Sequence, residues 1–219
     1  ELDAKKAEMF EKYYNLLIEW NEKFNLTAIT KEREVCDKHF IDSVLCESCI
    51  PKNSVLLDIG SGAGFPALPL KIVRPDLKVT MIDSVNKKVT FLKEVIKALN
   101  LENAEVIHIR SEELARSSYR DFFDVVTGRA VARLNTLCEY SLPLVKKGGI
   151  FIAYKAENVE DELKEAENAI RLLNGKFVKL LKIPLPGSDI VRSFAIISKI
   201  DKTPEKFPRG KGKERSDPL

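Results

Sequence analysis

Met9, Phe10, Tyr13, Leu17, Trp20 and Phe24 recur at steps of three or four, so residues 4 to 24 are expected to form a helix with one broad apolar face. Asn25-Leu26-Thr27 breaks the period. A second helix is expected over Asp37–Ser48, with Phe40, Ile41, Val44 and Leu45 inward, and Pro51-Lys52-Asn53 ends this helical lead. From residue 54 onward, short apolar runs alternate with longer amphipathic ones. Strands are expected over Ser54–Ile59, Lys78–Asp83, Glu105–Ile109, Phe123–Gly128 and Ile150–Lys155. Helices are expected over Phe65–Val73, Val85–Asn100, Ser111–Arg116, Leu134–Val145 and Val159–Asn174. Their stops are Arg74-Pro75, Lys147-Gly148-Gly149 and Gly175. Two last strands, Lys176–Ile183 and Val191–Ser198, flank Pro184-Leu185-Pro186-Gly187. That linker is too short for a crossover helix, so the pair must run antiparallel.

Five strand–helix units closed by a hairpin resemble the class I methyltransferase layout. The expected fold is therefore α/β and Rossmann-like: a seven-stranded mixed sheet with an N-terminal helical extension. Residues 1–53 are read as that extension, 54–200 as the catalytic domain and 201–219 as a tail. The tail is polar and rich in lysine and proline, and is expected to be mobile until bound.

Composition narrows the classes. The 219 residues are 44% hydrophobic and 32% charged, an ordinary soluble balance. No apolar run approaches the roughly 20 residues of a membrane span. Glu1-Leu2-Asp3-Ala4-Lys5-Lys6 lacks the apolar core of a secretory signal, so a cytoplasmic location is expected. Net charge is +3, and residues 199–219 carry all of the excess, with seven basic residues against four acids. Cys46 and Cys49 have C-x-x-C spacing with no second pair or paired histidines, so reduced cysteines are expected rather than a metal or redox site.

The chemistry is concentrated at Asp58-Ile59-Gly60-Ser61-Gly62-Ala63-Gly64, an acid and a glycine-rich turn between an apolar strand and a helix. Phe65 stands where a dinucleotide fingerprint wants its third glycine. A ring there crowds the amides on which a pyrophosphate would lie, whereas S-adenosylmethionine has no phosphates. Asp83 ends the second strand and suits the ribose hydroxyls of such a cofactor, or the cap of the next helix. Ser111-Glu112 follows the third strand, either facing adenine or opening a helix. Arg129 follows the fourth, as a ligand for the cofactor carboxylate, a phosphate or a purine edge, or as a helix cap. His39 and His108 are read as packed side chains. Lys155 and the tail are candidates for phosphate contacts.

These residues resemble the RsmG (GidB) family of bacterial small-subunit ribosomal RNA guanine-N7 methyltransferases. The resemblance is carried by Glu19-Trp20-Asn21-Glu22-Lys23-Phe24-Asn25-Leu26-Thr27, His39-Phe40-Ile41-Asp42-Ser43, the glycine turn through Phe65-Pro66, Asp83-Ser84, Arg129-Ala130-Val131-Ala132 and Phe207-Pro208-Arg209. It implies cofactor contacts by Gly60, Ser61, Gly62, Phe65, Asp83, Ser84, Ser111, Glu112 and Arg129. It implies that Asn25 and Thr27 close over the site and act with Arg129 in catalysis. By charge and position, Lys155, Lys206, Arg209, Lys211 and Lys213 are the candidates for RNA contacts. The expected product is S-adenosylhomocysteine, with no metal, from a monomer acting on small-subunit RNA or the 30S particle. Gly128, where Ser or Ala is commoner, and Asp217 depart from the family pattern. A small-molecule methyltransferase would share the sheet but leaves the basic tail unexplained. A noncatalytic RNA-binding factor would not need the intact glycine turn and Asp83.

Overall fold

The computed structural model describes residues 3–219, so Glu1 and Leu2 of the expected helical lead lie outside the described residues. Helix α1, Ala4–Phe24, is capped by the Asp3 carboxylate, which accepts from the Lys6 amide at 2.8 Å. It stops at Asn25, which takes the left-handed conformation at φ 48°. The second helical segment starts earlier than its apolar spacing predicts. Short α2, Glu32–Val35, runs into a π-helical turn, Cys36–Ile41, and then into α3, Asp42–Val44. Such widened turns occur often at functional sites, and this one carries His39 and ends at Asp42.

The strands are β1 Val55–Ile59, β2 Lys78–Asp83, β3 Ala104–His108, β4 Phe123–Arg129, β5 Val145–Lys155, β6 Gly175–Pro184 and β7 Val191–Lys199. They form one sheet in the order β3-β2-β1-β4-β5-β7-β6, parallel except where β7 runs antiparallel to β5 and β6. The expected fold class is therefore observed. The helices that follow are α4 Ala67–Val73, α5 Asn86–Ala98, α6 Ser111–Leu114, α7 Leu134–Ser141, α8 Glu160–Leu172 and α9 Lys213–Ser216. Central β1 is buried on both faces, as a parallel strand under two helical layers must be. One core joins Tyr13 and Leu17 of α1 to Leu56, Met81 and Phe91, and the other joins Leu137 and Ala169 to Val126 and Ile197. The N-terminal helix thus shares a core with the sheet.

Several expectations need correction. Gly148 and Gly149 do not end a helix; they lie inside β5, where the pairing with β4 shifts register. A Cβ on Gly149 would meet the Asp124 carbonyl at 2.6 Å, so glycine is what lets the strand continue there. His108 is exposed, because β3 is the edge strand, and one of its ring nitrogens lies 3.0 Å from the Ser84 carbonyl. The expected mobile tail is packed against the body: Thr203, Phe207 and Glu214 are buried. Composition registered its charge and prolines but could not show that buried Glu139 and an apolar seat for Phe207 await it.

Candidate active site

The glycine turn links β1 to α4 and is held from three sides. The Ser61 amide donates to the Ile82 carbonyl at 3.0 Å, and its hydroxyl donates to the Asp58 carbonyl at 3.1 Å. The Gly62 amide donates to Asp83 Oδ2 at 3.0 Å. From α1, the Tyr13 hydroxyl donates to the Ala63 carbonyl at 2.5 Å. Gly60, at φ +63°, has no room for a side chain, since a Cβ would meet Val131 at 2.9 Å. Beneath the turn Asp58 is wholly buried. Thr127 donates to its Oδ1 at 2.7 Å while Oδ2 has no partner, and burial pushes its pKa up to about 7.

Beside this turn lies a cleft of about 430 Å³, walled by Gly60, Asp83, Ser84, Ser111, Glu112 and Tyr140, among others. Asp83 accepts from the Gly62 and Val85 amides at 3.0 and 2.9 Å, so it ties the two turns that frame the cleft. An ionised carboxylate has about four acceptor positions, which leaves capacity for hydroxyl groups. The Ser111 hydroxyl instead donates to the Tyr140 carbonyl at 2.6 Å, so this serine holds the wall. Backbone amides, carboxylates and an open glycine fit the ribose and amino groups of a nucleoside cofactor such as S-adenosylmethionine.

A second cleft, of about 400 Å³, begins on the far side of Ala130, which lines both. Arg129 organises it. Its guanidinium donates to Asp42 Oδ2 at 2.8 Å, approaches His39 Nδ1 at 3.1 Å and lies 5.2 Å from the centre of the Phe65 ring. Arg192 donates to the other oxygen of Asp42 at 2.8 Å, so one buried carboxylate is shared by two guanidiniums. Lys38 and Lys155 also line this cleft, making it cationic overall. His39 stacks on Phe65 at 4.4 Å. His39 Nδ1 lies 3.1 Å from the Arg129 guanidinium, which can only donate, and 3.2 Å from the Lys38 carbonyl, which can only accept, while Nε2 lies 2.9 Å from Thr27 Oγ1. Burial, with Arg129 second, lowers the His39 pKa to about 4, so the ring is neutral in the ordinary range.

The structure brings together Gly60, Asp83, Ser84, Ser111 and Glu112 in the first cleft and Arg129 in the second. Ser61 and Phe65 are buried behind the turn, where they hold its shape without lining either cleft. Asn25 is an exposed helix cap, and Thr27 reaches the second cleft only through His39. Two RNA-contact expectations change. Lys155 pairs with Glu162 and the Ala132 carbonyl, both at 2.7 Å, which fastens the loop after Arg129. Arg209 is bound in bidentate fashion by Glu139, whereas Lys206, Lys211 and Lys213 are exposed. The histidine read as packing turns out to orient Arg129, and Asp42 and Arg192 were missed. Asp42 sat three residues from His39 in a stretch already singled out. Arg192 was findable from the hairpin, because antiparallel β7 begins beside the end of β5, pairing Ser193 with Lys155.

Cys46 donates to the Tyr154 hydroxyl at 3.0 Å, and burial pushes its pKa up to about 12, so the C-x-x-C thiol is a packed donor. Among the described residues, no group of three or more His, Cys, Asp or Glu is placed to hold a metal ion, and no helix is long and apolar enough to cross a membrane.

A family model described as GidB, rRNA small subunit methyltransferase G, matches residues 6–185. Ribosomal RNA small subunit methyltransferase G of Lachnoclostridium phytofermentans is 49% identical, covering 100% of this chain and 92% of that protein. The protein of the same name from Staphylococcus saprophyticus is 47% identical with the same coverage. Among solved structures, M. jannaschii TYW2 in complex with AdoMet is similar over 79% of this chain and 80% of that one, with TM-score 0.59 and 17% identity. A SAM-dependent methyltransferase from Aquifex aeolicus is similar over 76% of this chain and 93% of that one, with TM-score 0.57 and 17% identity. At such identities the structural likeness bears on the fold alone.

Proposed function

The chain belongs to the GidB family of rRNA small subunit methyltransferase G proteins, and on that premise we propose that it methylates N7 of a guanine in small-subunit (16S) ribosomal RNA. S-adenosylmethionine, when bound, supplies the methyl group on a sulfonium and leaves as S-adenosylhomocysteine. Gly60, Asp83 and Glu112 would hold its adenosine and amino acid parts in the first cleft. The target guanine would enter the cationic second cleft, so that the methyl group passes at Ala130, where the two meet.

One observation carries the choice of N7. The carboxylate and the imidazole of the second cleft are already engaged, Asp42 by two arginines and His39 by Arg129 and Thr27. A target that must lose a proton would need one of them free. Guanine N7 has a lone pair and no proton: the N7–CH₃ bond forms as the S–CH₃ bond breaks, and the positive charge moves from sulfur to the purine. The chain's work is then to orient the base and exclude water, for which proximity supplies much of the rate. Arg129 and Arg192 present planar forks suited to a phosphate or to the guanine O6 edge. The base must leave its stack or lie in a single-stranded loop to enter this cleft. Lys38 and the exposed tail lysines 206, 211 and 213 are proposed to meet RNA phosphates.

The test is incubation with methyl-labelled S-adenosylmethionine and either naked 16S RNA or 30S particles, followed by nucleoside mass spectrometry. Labelled 7-methylguanosine is the expected product. Label on another atom, or none on either substrate, would remove the reading.

A further inference from the structure

We propose that the C-terminal segment belongs to the cofactor site: residues 203–217 form a strap whose Gly212 and Arg215 complete the wall of the first cleft, with Arg215 a cofactor-binding residue. This rests on reading that cleft as the S-adenosylmethionine site.

The strap's own sequence would not hold a fold, because its glycines, prolines and like charges disfavour any isolated helix. It is fastened from the body. The Arg120 guanidinium donates to the carbonyls of Thr203 and Phe207 at 2.8 and 2.9 Å, and Arg116 donates to those of Pro208 and Arg209 at 2.9 and 3.1 Å. Glu139, wholly buried in α7, accepts from the Arg209 amide and from its Nη2, each at 2.8 Å. A buried carboxylate so placed holds its partner firmly, since losing either one strands the other charge. Beyond this latch, Gly210 at φ +73° and Gly212 at φ +78° turn the chain back. At these left-handed backbone angles glycine is favoured, and the Arg116 guanidinium lies against Gly210. Thr136 then secures the Glu214 carbonyl at 2.7 Å.

This path brings Arg215 to the cleft, which it lines together with Tyr140, Ser111 and Glu112. The carboxylates of Asp83 and Glu112 suit ribose and amino groups. A guanidinium beside them is the group that stacks on a purine face and donates to its ring nitrogens. The strap is therefore placed to select a purine nucleoside.

Calorimetric titration tests this on the full chain, Arg215→Ala and Arg209→Ala, using S-adenosylhomocysteine and then adenosine as probes, with unliganded melting curves alongside. Arg215 is exposed, so its alanine variant is expected to melt with the wild type and to bind both probes five- to tenfold more weakly. Arg209→Ala, which opens the latch, is expected to weaken S-adenosylhomocysteine at least as much. Affinity within twofold of wild type in Arg215→Ala would overturn the strap's role while leaving the cleft's identity intact. A loss seen with S-adenosylhomocysteine but not with adenosine would overturn the purine contact. No binding of either probe by the wild type would instead overturn the cofactor reading itself, and the strap's role with it.

Discussion

The cleft behind the glycine turn and the cleft beyond Arg129 touch at Ala130, yet different groups line them. The first lies across the ends of the parallel strands, with Gly60 after β1, Asp83 ending β2, Glu112 after β3 and Ala130 after β4, and Tyr140 of α7 and the strap add the last wall. The second draws on five separated segments, with Ile29 after α1, His39 and Asp42 in the widened helix, Arg129 ending β4, Lys155 ending β5 and Arg192 on β7. Backbone amides and the Asp83 and Glu112 carboxylates suit the hydroxyls and ammonium of a nucleoside cofactor, while guanidiniums around one shared carboxylate suit an anionic polymer. A methyl-transfer enzyme needs both, because its two ligands carry different charge and arrive separately.

If the clefts have separate tasks, substitutions should divide cleanly between cofactor affinity and RNA methylation. The largest effect is expected from Asp83→Ala. It removes a charged acceptor and frees the Gly62 and Val85 amides, costing about 2–3 kcal/mol, or roughly 100-fold in S-adenosylhomocysteine affinity. RNA affinity should stay unchanged in filter binding, and a parallel loss of both would mean that the clefts are one site. Next comes Asp42→Asn, which leaves Arg129 and Arg192 facing each other without their counter-ion. Single-turnover methylation should slow tenfold or more, about 1.4 kcal/mol in transition-state terms, with cofactor affinity held within twofold. Arg129→Lys should slow turnover by a similar factor, since an ammonium cannot bind Asp42 and a purine edge as a planar fork does. Wild-type turnover in that variant would reduce Arg129 to a cap.

A smaller effect tests the cationic cleft by ionic strength. Lys38→Ala with Arg192→Ala should reduce the salt slope of RNA binding by about 1.4, at roughly 0.7 per phosphate contact on single strands. An unchanged slope would send the search for the phosphate track to the exposed tail lysines. The smallest effect concerns His39. With burial and Arg129 lowering its pKa to about 4, it gains a proton only as pH falls through that value. Turnover between pH 5.5 and 8 should therefore show no inflection that disappears in His39→Gln. A wild-type inflection near 6.5, absent from the variant, would show an accessible imidazole that titrates during catalysis.

Chemistry is legible in a sequence where it coincides with chain order. Gly60 and Asp83 stand out because a strand end, a turn and a helix start must follow one another in the chain. Arg192 did not stand out, because its partner Asp42 lies 150 residues away on a helix and meets it only when that helix packs on the sheet. Arg209 was assigned to RNA because composition records a charge without its partner. The glycine pair at 148–149 was taken for a helix stop because the same residue serves as a stop and as a strand bulge, and only the Asp124 carbonyl beside it decides which.

The sequence by itself determined the alternation of strands and helices, the antiparallel closing hairpin, the glycine turn with its acid and the place of Arg129, since periodicity and local steric needs are written along the chain. Only the tertiary structure decided which charges are spent and which are free. Asp42 is shared by two arginines, Arg209 is held by a buried glutamate, Lys155 is tied to Glu162, and Arg215 is brought to the first cleft. The reason is electrostatic: what a charge can do depends on the partners and water within a few ångströms of it, and in a folded chain those partners come from anywhere in the sequence.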